Sequence, residues 1–209
     1  ELSVLDDRFL SSPSLALERA HDAVVQMGEF ARDNYRLAVE LIWKFDAKKL
    51  ERLNETEVAL DKLEGVLDNY LVKLPGRALT AEESTRVSEL LHTLSDFERI
   101  GDYAVNVSES AVVLHDRNIT FSPQARAELE RLTAAVGETL DKTVACYQSR
   151  QRTLAVQVEP LEEVVDLIAA TLKNRHVERL KAGECTIELG TQFLELLINL
   201  ERMSDHCSN

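Results

Sequence analysis

One nine-residue pattern occurs twice in this chain, as ERIGDYAVN at residues 98–106 and as ERMSDHCSN at residues 201–209. Both copies carry Glu and Arg at the first two positions, Asp at the fifth and Asn at the ninth. Residues four apart in an α-helix lie on roughly the same face, about 6 Å apart along the axis. Each copy therefore predicts a helix face with two carboxylates and one amide in a row: Glu98, Asp102 and Asn106 in the first copy, and Glu201, Asp205 and Asn209 in the second.

A shorter acidic pattern, Glu-x-x-x-Asp, precedes each copy. Glu57 and Asp61 come 41 residues before the Glu and Asp of the first copy, and Glu162 and Asp166 come 39 residues before those of the second. Each pair interrupts a stripe of apolar residues at helical spacing. Helices joined by a short turn pack antiparallel, so the acidic pairs on two consecutive helices are expected to face each other.

The apolar spacing along the whole chain predicts an all-α protein with six long helices. Asp46 is expected to cap the second helix, Thr80 with Glu83 to form a capping box for the third, and Ser122 to cap the fourth. The fifth helix is expected to run from about residue 153 to residue 181, with Pro160 as a position where it could kink.

The duplication predicts two tandem, sequence-related three-helix bundles, at residues 14–118 and 119–209. Residues 1–13 lack helical periodicity, and we interpret them as an N-terminal linker that leads into the first bundle; because the chain does not begin with Met, we expect it to be a fragment of a longer protein. The last helical pattern reaches Asn209 without a cap, which favours a second bundle that is truncated at its C-terminus. An ordinary processed or trimmed protein is the alternative for both ends.

The composition argues against several classes of function. The formal net charge is −13, from 24 basic and 37 acidic residues, so the chain should repel nucleic acid and anionic lipid and is suited to cations. Its three cysteines are far apart in the sequence, which is typical of reduced thiols and not of a disulfide framework or a zinc site. No apolar run reaches the ~18 residues that a membrane-spanning helix needs.

The facing acidic pairs predict metal binding, because four carboxylates in a partly buried seam repel one another and must be neutralised. Arg99 and Arg202 point about 100° away from the acidic face, so metal ions are the simplest solution. An all-oxygen ligand set suits magnesium, calcium, manganese or iron better than a structural zinc. The candidate ligands are Glu57, Asp61, Glu98 and Asp102 in the first half, and Glu162, Asp166, Glu201 and Asp205 in the second.

Simpler roles stay open for parts of this set. An isolated Glu-x-x-x-Asp pair usually marks a solvated helix face in an acidic helical protein. Asn106 and Asn209 are candidates to orient a ligand or a metal-bound anion, but they could equally make hydrogen bonds along the helix surface. A di-metal enzyme is the least favoured alternative, because no histidine that could act as an acid or base lies on the acidic face. We therefore predict no catalytic residue and no enzymatic activity.

The doubled Glu-Arg-x-x-Asp-x-x-x-Asn pattern, the preceding acidic pairs and the six-helix duplication resemble the PhoU family over about residues 14–209. This resemblance implies two similar three-helix bundles and a role in regulating phosphate uptake and phosphate signalling. It also implies multinuclear metal clusters, of iron or zinc in that family, with one cluster on each set of four candidate ligands. Iron, zinc, manganese and magnesium all remain candidate ions for this chain.

The start of the chain narrows the resemblance. LDDRFL at residues 5–10 and ALERA at residues 16–20 are similar to the segment that joins the transporter to the PhoU-like domain in bacterial sodium/phosphate cotransporters. This similarity implies a regulatory domain on the cytoplasmic side of the plasma membrane that contacts its own N-terminal transporter domain. Inorganic phosphate and a second copy of the chain are further candidate partners. The alternative is a stand-alone PhoU-type regulator that acts on a separate ABC transporter and a sensor kinase.

Overall fold

The computed structural model describes residues 5–74, 79–150 and 152–209. Within these ranges a short 3₁₀ helix at Asp7–Ser11 precedes a series of α-helices. The α-helices are α1 (Pro13–Trp43), α2 (Ala47–Leu71), α3 (Ala81–Asp116), α4 (Pro123–Ser149), α5 (Arg152–Ala155), α6 (Val158–Lys181) and α7 (Ile187–Cys207). Since α5 is a single turn, the prediction of an all-α protein with six long helices is confirmed.

The predicted cap residues begin the helices that follow them. The Asp46 carboxylate accepts hydrogen bonds from two backbone N–H groups in the first turn of α2. Thr80 and Glu83 exchange both hydrogen bonds of a capping box at the start of α3, and the Ser122 hydroxyl accepts a hydrogen bond from the first turn of α4. These bonds satisfy N–H groups that have no partner inside the helix.

The predicted fifth helix is divided in the structure. A turn at Val156 and Gln157 separates α5 from α6, so the expectation of one continuous helix from residue 153 is wrong. The physical reason is Pro160, which lies in the first turn of α6. Proline has no backbone N–H group to donate within a helix, and its ring clashes with the carbonyl group four residues earlier. Both effects are tolerated only in the first turn of a helix, so α6 begins just before Pro160 and is not continuous with α5.

The helices form two bundles that contact each other through equivalent elements. Helices α1, α2 and α3 pack together as the first bundle, and α4, α6 and α7 pack together as the second. Between the bundles, α1 contacts α4 and α3 contacts α7. Each of these contacts joins the same helix of the two repeats, as expected when two copies face each other across an approximate two-fold axis.

The repeat is visible in the core, because equivalent positions of α2 and α6 are buried at a constant offset of 105 residues. These positions are Leu53, Leu60, Leu67 and Leu71 in α2, and Val158, Val165, Leu172 and His176 in α6. The shared register aligns the Glu-x-x-x-Asp pairs of the two bundles.

Part of the predicted linker, residues 1–4, lies outside the described residues. The 3₁₀ helix packs against α1, and Leu10 is buried. Lys73 Nζ donates a hydrogen bond to Asp7 Oδ1 at 2.9 Å, so this segment lies against the first bundle. The linker and the proposed domain boundaries stay predictions. No described helix combines the length and the apolar composition needed to cross a bilayer.

Candidate metal centres

Helices α2 and α3 bring the four carboxylates of the first bundle to one seam. Gly101 allows the close approach, since a Cβ atom at this position would lie 3.0 Å from Leu60 Cδ1 and 3.1 Å from Glu57 Oε2. The Glu57 carboxylate therefore lies directly against the backbone of α3. The sequence had shown a small residue here, and the structure gives its reason.

The pKa values of this seam show crowded negative charge. The pKa of Glu57 is raised to about 7, chiefly by burial and also by the nearby charges of Asp61 and Asp102. Burial also raises the pKa of Glu98 to about 7, followed by the charge of Asp102 and a hydrogen bond between these two carboxyl groups. Two carboxylates can share a hydrogen bond only if a proton lies between them, and a bound cation would replace that proton.

Asn34 of α1 completes the seam from a third helix. Its side chain is fully buried, and its amide Nδ2 donates to Glu57 Oε2 at 3.3 Å and to the Leu53 carbonyl at 3.2 Å. The Asn34 Oδ1 atom has no hydrogen-bond partner within the described part of the chain. A buried amide oxygen without a partner is costly, and it is the kind of atom that a hard cation binds. Asn34 was not among the ligands predicted from the sequence.

Two further acidic residues of α2 extend the row, and the sequence-based set of candidate ligands lacked them. Burial raises the pKa of Glu64, as do the charges of Asp68, Asp61 and Asp102. The signal was present, because Glu64 and Asp68 repeat the spacing of the Glu-x-x-x-Asp pair one heptad later. We refer to Glu57, Asp61, Glu64, Asp68, Glu98 and Asp102 as the first acidic group.

The second acidic group consists of Glu162 and Asp166 on α6 and Glu201 and Asp205 on α7. One carboxylate oxygen each from Glu162, Asp166 and Asp205 lies within 4.8 Å of the other two. Ligands of one ion at metal–oxygen distances of about 2.0–2.6 Å are at most about 5 Å apart, so these three oxygens can share a cation. Burial raises the pKa values of Asp205 and Glu162, and the charge of Asp166 raises both further.

Glu201 is held apart from that triad. Lys173 Nζ of α6 donates a hydrogen bond to Glu201 Oε2 and forms an ion pair with it. The arginines of the repeated motif are more loosely placed: Arg99 Nη1 lies 3.8 Å from Asp102 Oδ2, and Arg202 Nη1 lies 3.8 Å from Asp205 Oδ2.

The two motif asparagines lie where α3 meets the C-terminal end of α7. Helix α7 ends at Cys207 with Ser208 as its C-cap, so the prediction that the helical pattern reaches Asn209 without a cap is wrong. Asn106 Nδ2 donates to Asn199 Oδ1 at 3.1 Å, and Asn209 Nδ2 donates to Asp96 Oδ1 at 3.1 Å. His206 Nδ1 also lies 2.9 Å from Asp96 Oδ1, and its ring stacks on that of Tyr103. The hydrogen-bond partners of both asparagines thus belong to the other bundle. Whether these residues also orient a ligand stays a prediction.

The donor chemistry of both groups fits a hard cation. Each consists of half-buried or exposed carboxylates, and the first adds the unpartnered Asn34 amide oxygen. Within the described ranges no cysteine or histidine joins the triad of oxygens in the second group. The arrangement supplies ligands and negative charge.

The sequence of this chain matches a known protein family in both of its halves. The family model, described as PhoU domain, matches residues 24–111 and, a second time, residues 129–209. A Xylella fastidiosa protein, named a phosphate-specific transport system accessory protein PhoU homolog, is 25% identical over 194 residues, which are 92% of this chain and 80% of that protein. A Thermotoga maritima protein, named homolog 1 of the same accessory protein, is 21% identical over 173 residues, covering 82% of this chain and 74% of its own length.

Solved structures agree on the fold. The crystal structure of PhoU from Pseudomonas aeruginosa has a TM-score of 0.86 at 22% identity and covers 92% of each chain. The phosphate transport system regulatory protein PhoU from Streptococcus pneumoniae has a TM-score of 0.83 at 17% identity, covering 95% of this chain and 92% of that chain.

Proposed function

This chain belongs to the PhoU domain family, and from that membership we propose that it is a PhoU-type accessory regulator of phosphate transport. The observation that carries the proposal is the match of the PhoU domain to both halves of the chain. Relatives that share 92% and 82% of this chain are named as accessory proteins of phosphate-specific transport systems. Such a protein would act on a separate transporter and its signalling partners from the cytoplasmic side of the membrane.

Metal binding is the chemical part of the proposal. The first acidic group would hold cations between α2 and α3, and the second between α6 and α7. The support is the convergence of three carboxylate oxygens within 4.8 Å in the second group and the raised carboxyl pKa values in the first. A bound di- or trivalent cation would neutralise the seam and offer a positive centre to inorganic phosphate. The carboxylates of the two acidic groups would be the ligands. Because Gly101 has no side chain, the Glu57 carboxylate has room beside α3.

A regulatory domain of a sodium-dependent phosphate cotransporter is the second candidate. It rests on the similarity of residues 5–10 and 16–20 to the linker of such cotransporters. The named relatives favour the stand-alone regulator, since their names refer to phosphate-specific transport systems. A di-metal phosphohydrolase ranks behind both, and the accessory role in the relatives' names gives it no support.

Deletion of the gene in its native host tests the regulatory role. We expect phosphate uptake and phosphate-responsive transcription to lose their repression in phosphate-rich medium, and the reintroduced gene to restore it. Unchanged uptake and transcription would overturn the proposal. A change confined to sodium-dependent uptake would favour the cotransporter candidate over the stand-alone regulator.

Elemental analysis of the purified, tag-free chain tests metal binding separately. We expect iron, zinc or manganese near stoichiometric amounts in the wild type and less in the Glu98→Gln/Asp102→Asn variant. Absence of metal from both proteins after reconstitution would mean that the acidic seams are neutralised by protons and basic side chains. The regulatory proposal would then stand on protein contacts alone.

A further inference from the structure

The two acidic groups differ at positions that the repeat makes equivalent. The offset of 105 residues that relates the Glu-x-x-x-Asp pairs of α2 and α6 also pairs Glu64 with Ala169 and Asp68 with Lys173. Burial supports this register, since the neighbouring core positions are buried in both helices. The carboxylate of Glu64 in the first group is therefore replaced by the methyl group of Ala169 in the second, and the carboxylate of Asp68 by the amine of Lys173.

The side chain of Lys173 does not extend into solvent, because its amine contacts a carboxylate of the second acidic group. Its amine is bonded to Glu201 of the neighbouring helix, and the two side chains are 35% and 26% exposed. An ion pair that is partly shielded from water is stronger than one on an open surface. Lys173 follows Asp166 by seven residues, so both side chains lie on the same face of α6.

Among the described residues, no lysine forms a comparable ion pair with the first acidic group. Arg99 is the cation that pairs with this group in the described part of the chain, at 3.7 Å from Glu98 and 3.8 Å from Asp102, and its side chain is 57% exposed. Glu98, which is equivalent to Glu201, pairs with the exposed Arg99 and not with a lysine. The first group therefore needs more added positive charge than the second.

We propose that Lys173 is a built-in cation of the second acidic group, so that this group binds one divalent metal ion where the first binds at least two. The inference rests on the proposed metal binding. Three carboxylates stay available to the single ion, on Glu162, Asp166 and Asp205. A second divalent ion would face the ammonium group at short range, and Glu201 would not be free to bind it.

Ser204 adds a second difference at the same place. It is equivalent to Gly101, whose Cβ position is 3.1 Å from Glu57 Oε2. The Ser204 hydroxyl is fully buried and has no hydrogen-bond partner among the described residues. The second group thus has a buried hydroxyl at the position where the first has no side chain, and this hydroxyl takes up room that a larger cluster would need.

Manganese titration tests the proposal in a chain whose first group is disabled by Glu57→Gln/Asp102→Asn. We expect about one Mn²⁺ per chain by calorimetry and the six-line electron paramagnetic resonance spectrum of an isolated ion. Lys173→Asp in that background should raise the stoichiometry to about two and give the broadened spectrum of two coupled ions. Lys173→Met, which keeps the aliphatic stem, should increase the affinity for the first Mn²⁺ about tenfold because it releases Glu201.

The matched control is Lys181→Asp, which makes the same charge change on the same helix, about 12 Å further along its axis. Lys181 pairs with Glu178 at the end of α6, and this variant should leave the stoichiometry and affinity unchanged. Two Mn²⁺ per chain in the Glu57→Gln/Asp102→Asn background with Lys173 intact would overturn the proposal. An unchanged affinity in Lys173→Met would do so even if Lys173→Asp fails to fold. If the wild type binds no Mn²⁺ at either group, the metal-binding proposal itself is wrong.

Discussion

In the first bundle Glu98 lies beside Asp102 in a row of carboxylates, and the charge of Asp102 raises its pKa, whereas in the second bundle the equivalent Glu201 is paired with Lys173. The two helices of each site come from the same duplicated pattern. Their apolar positions stay in register because each must be buried, and a polar residue there would be costly. The residues of the two acidic groups differ at equivalent positions, because they contact solvent on one side and their identity is less constrained by packing. A repeated motif therefore indicates two sites of the same kind but not of the same charge.

The largest effect is expected from substitution of the ligands of one acidic group, which should remove metal from that group and leave the other occupied. Glu162→Gln/Asp205→Asn should weaken Mn²⁺ binding at the second group by more than about 100-fold, because substitutions of outer residues around a metal already cost 10–100-fold. Calorimetry should show that the ions of the first group remain. Simultaneous loss of metal from both groups would show that they do not act independently.

Substitution at the fourth position of the motif, Gly101 in the first copy and Ser204 in the second, should change the free energy of unfolding differently in the two bundles. Gly101→Val should lower the free energy of unfolding by about 1–3 kcal/mol, because its methyl groups would press on Leu60 and Glu57. Ser204→Ala should be neutral or slightly stabilising in the metal-free protein, because it removes a buried hydroxyl that has no partner among the described residues. Urea unfolding of both variants measures the difference. Equal destabilisation by both would contradict the unequal packing.

Stability of the metal-free protein should depend on pH through the first group. The folded-state pKa values of Glu57 and Glu98 are about 7, above the ordinary value of 4.5, so the folded protein holds more protons than the unfolded chain between these values. The free energy of unfolding should therefore fall as pH rises from 4.5 to 7. Glu98→Gln, which mimics the protonated form, should stabilise the protein by about 1–2 kcal/mol at pH 8 and have no effect at pH 4.

The measurement for this prediction is urea unfolding in the presence of a chelator. Asp205→Asn provides the comparison with the second group, because the pKa of Asp205 is raised in the same direction by burial and by Asp166 and Glu201. We expect a smaller gain from this variant, since the positive charge of Arg202 partly offsets the increase. Stability that rises with pH over the window from 4.5 to 7 would contradict the prediction.

The smallest effect is expected where the bundles meet. Asn106→Ala should cost about 1 kcal/mol or less, since it removes one hydrogen bond to Asn199 at a partly exposed contact. Asn209→Ala removes the equivalent bond to Asp96 and should cost a similar amount or less. Both variants should keep their metal content in elemental analysis. Loss of metal from either would show that the motif asparagine supports a metal centre in addition to the interface.

The sequence alone determined the parts of this protein that depend on helical periodicity. Spacing by three and four residues establishes which side chains share a face of one helix, and so it predicted six long helices, their caps and the acidic rows of Glu98 and Asp102. The same spacing relates Glu64 to Asp68 one heptad later, although the set of ligands predicted from the sequence did not include them. The break before α6 also follows from Pro160 once its place in the first turn is known.

Only the tertiary structure decided which side chains from different helices meet. Asn34 and Glu57 are 23 residues apart, and Lys173 and Glu201 are 28 apart, on helices whose relative rotation and offset come from packing. Asn106 lies on the acidic face by periodicity, yet its partner is Asn199 in the other bundle. Periodicity describes one helix at a time, whereas the charge and the shape of each acidic group depend on how neighbouring helices are placed against each other.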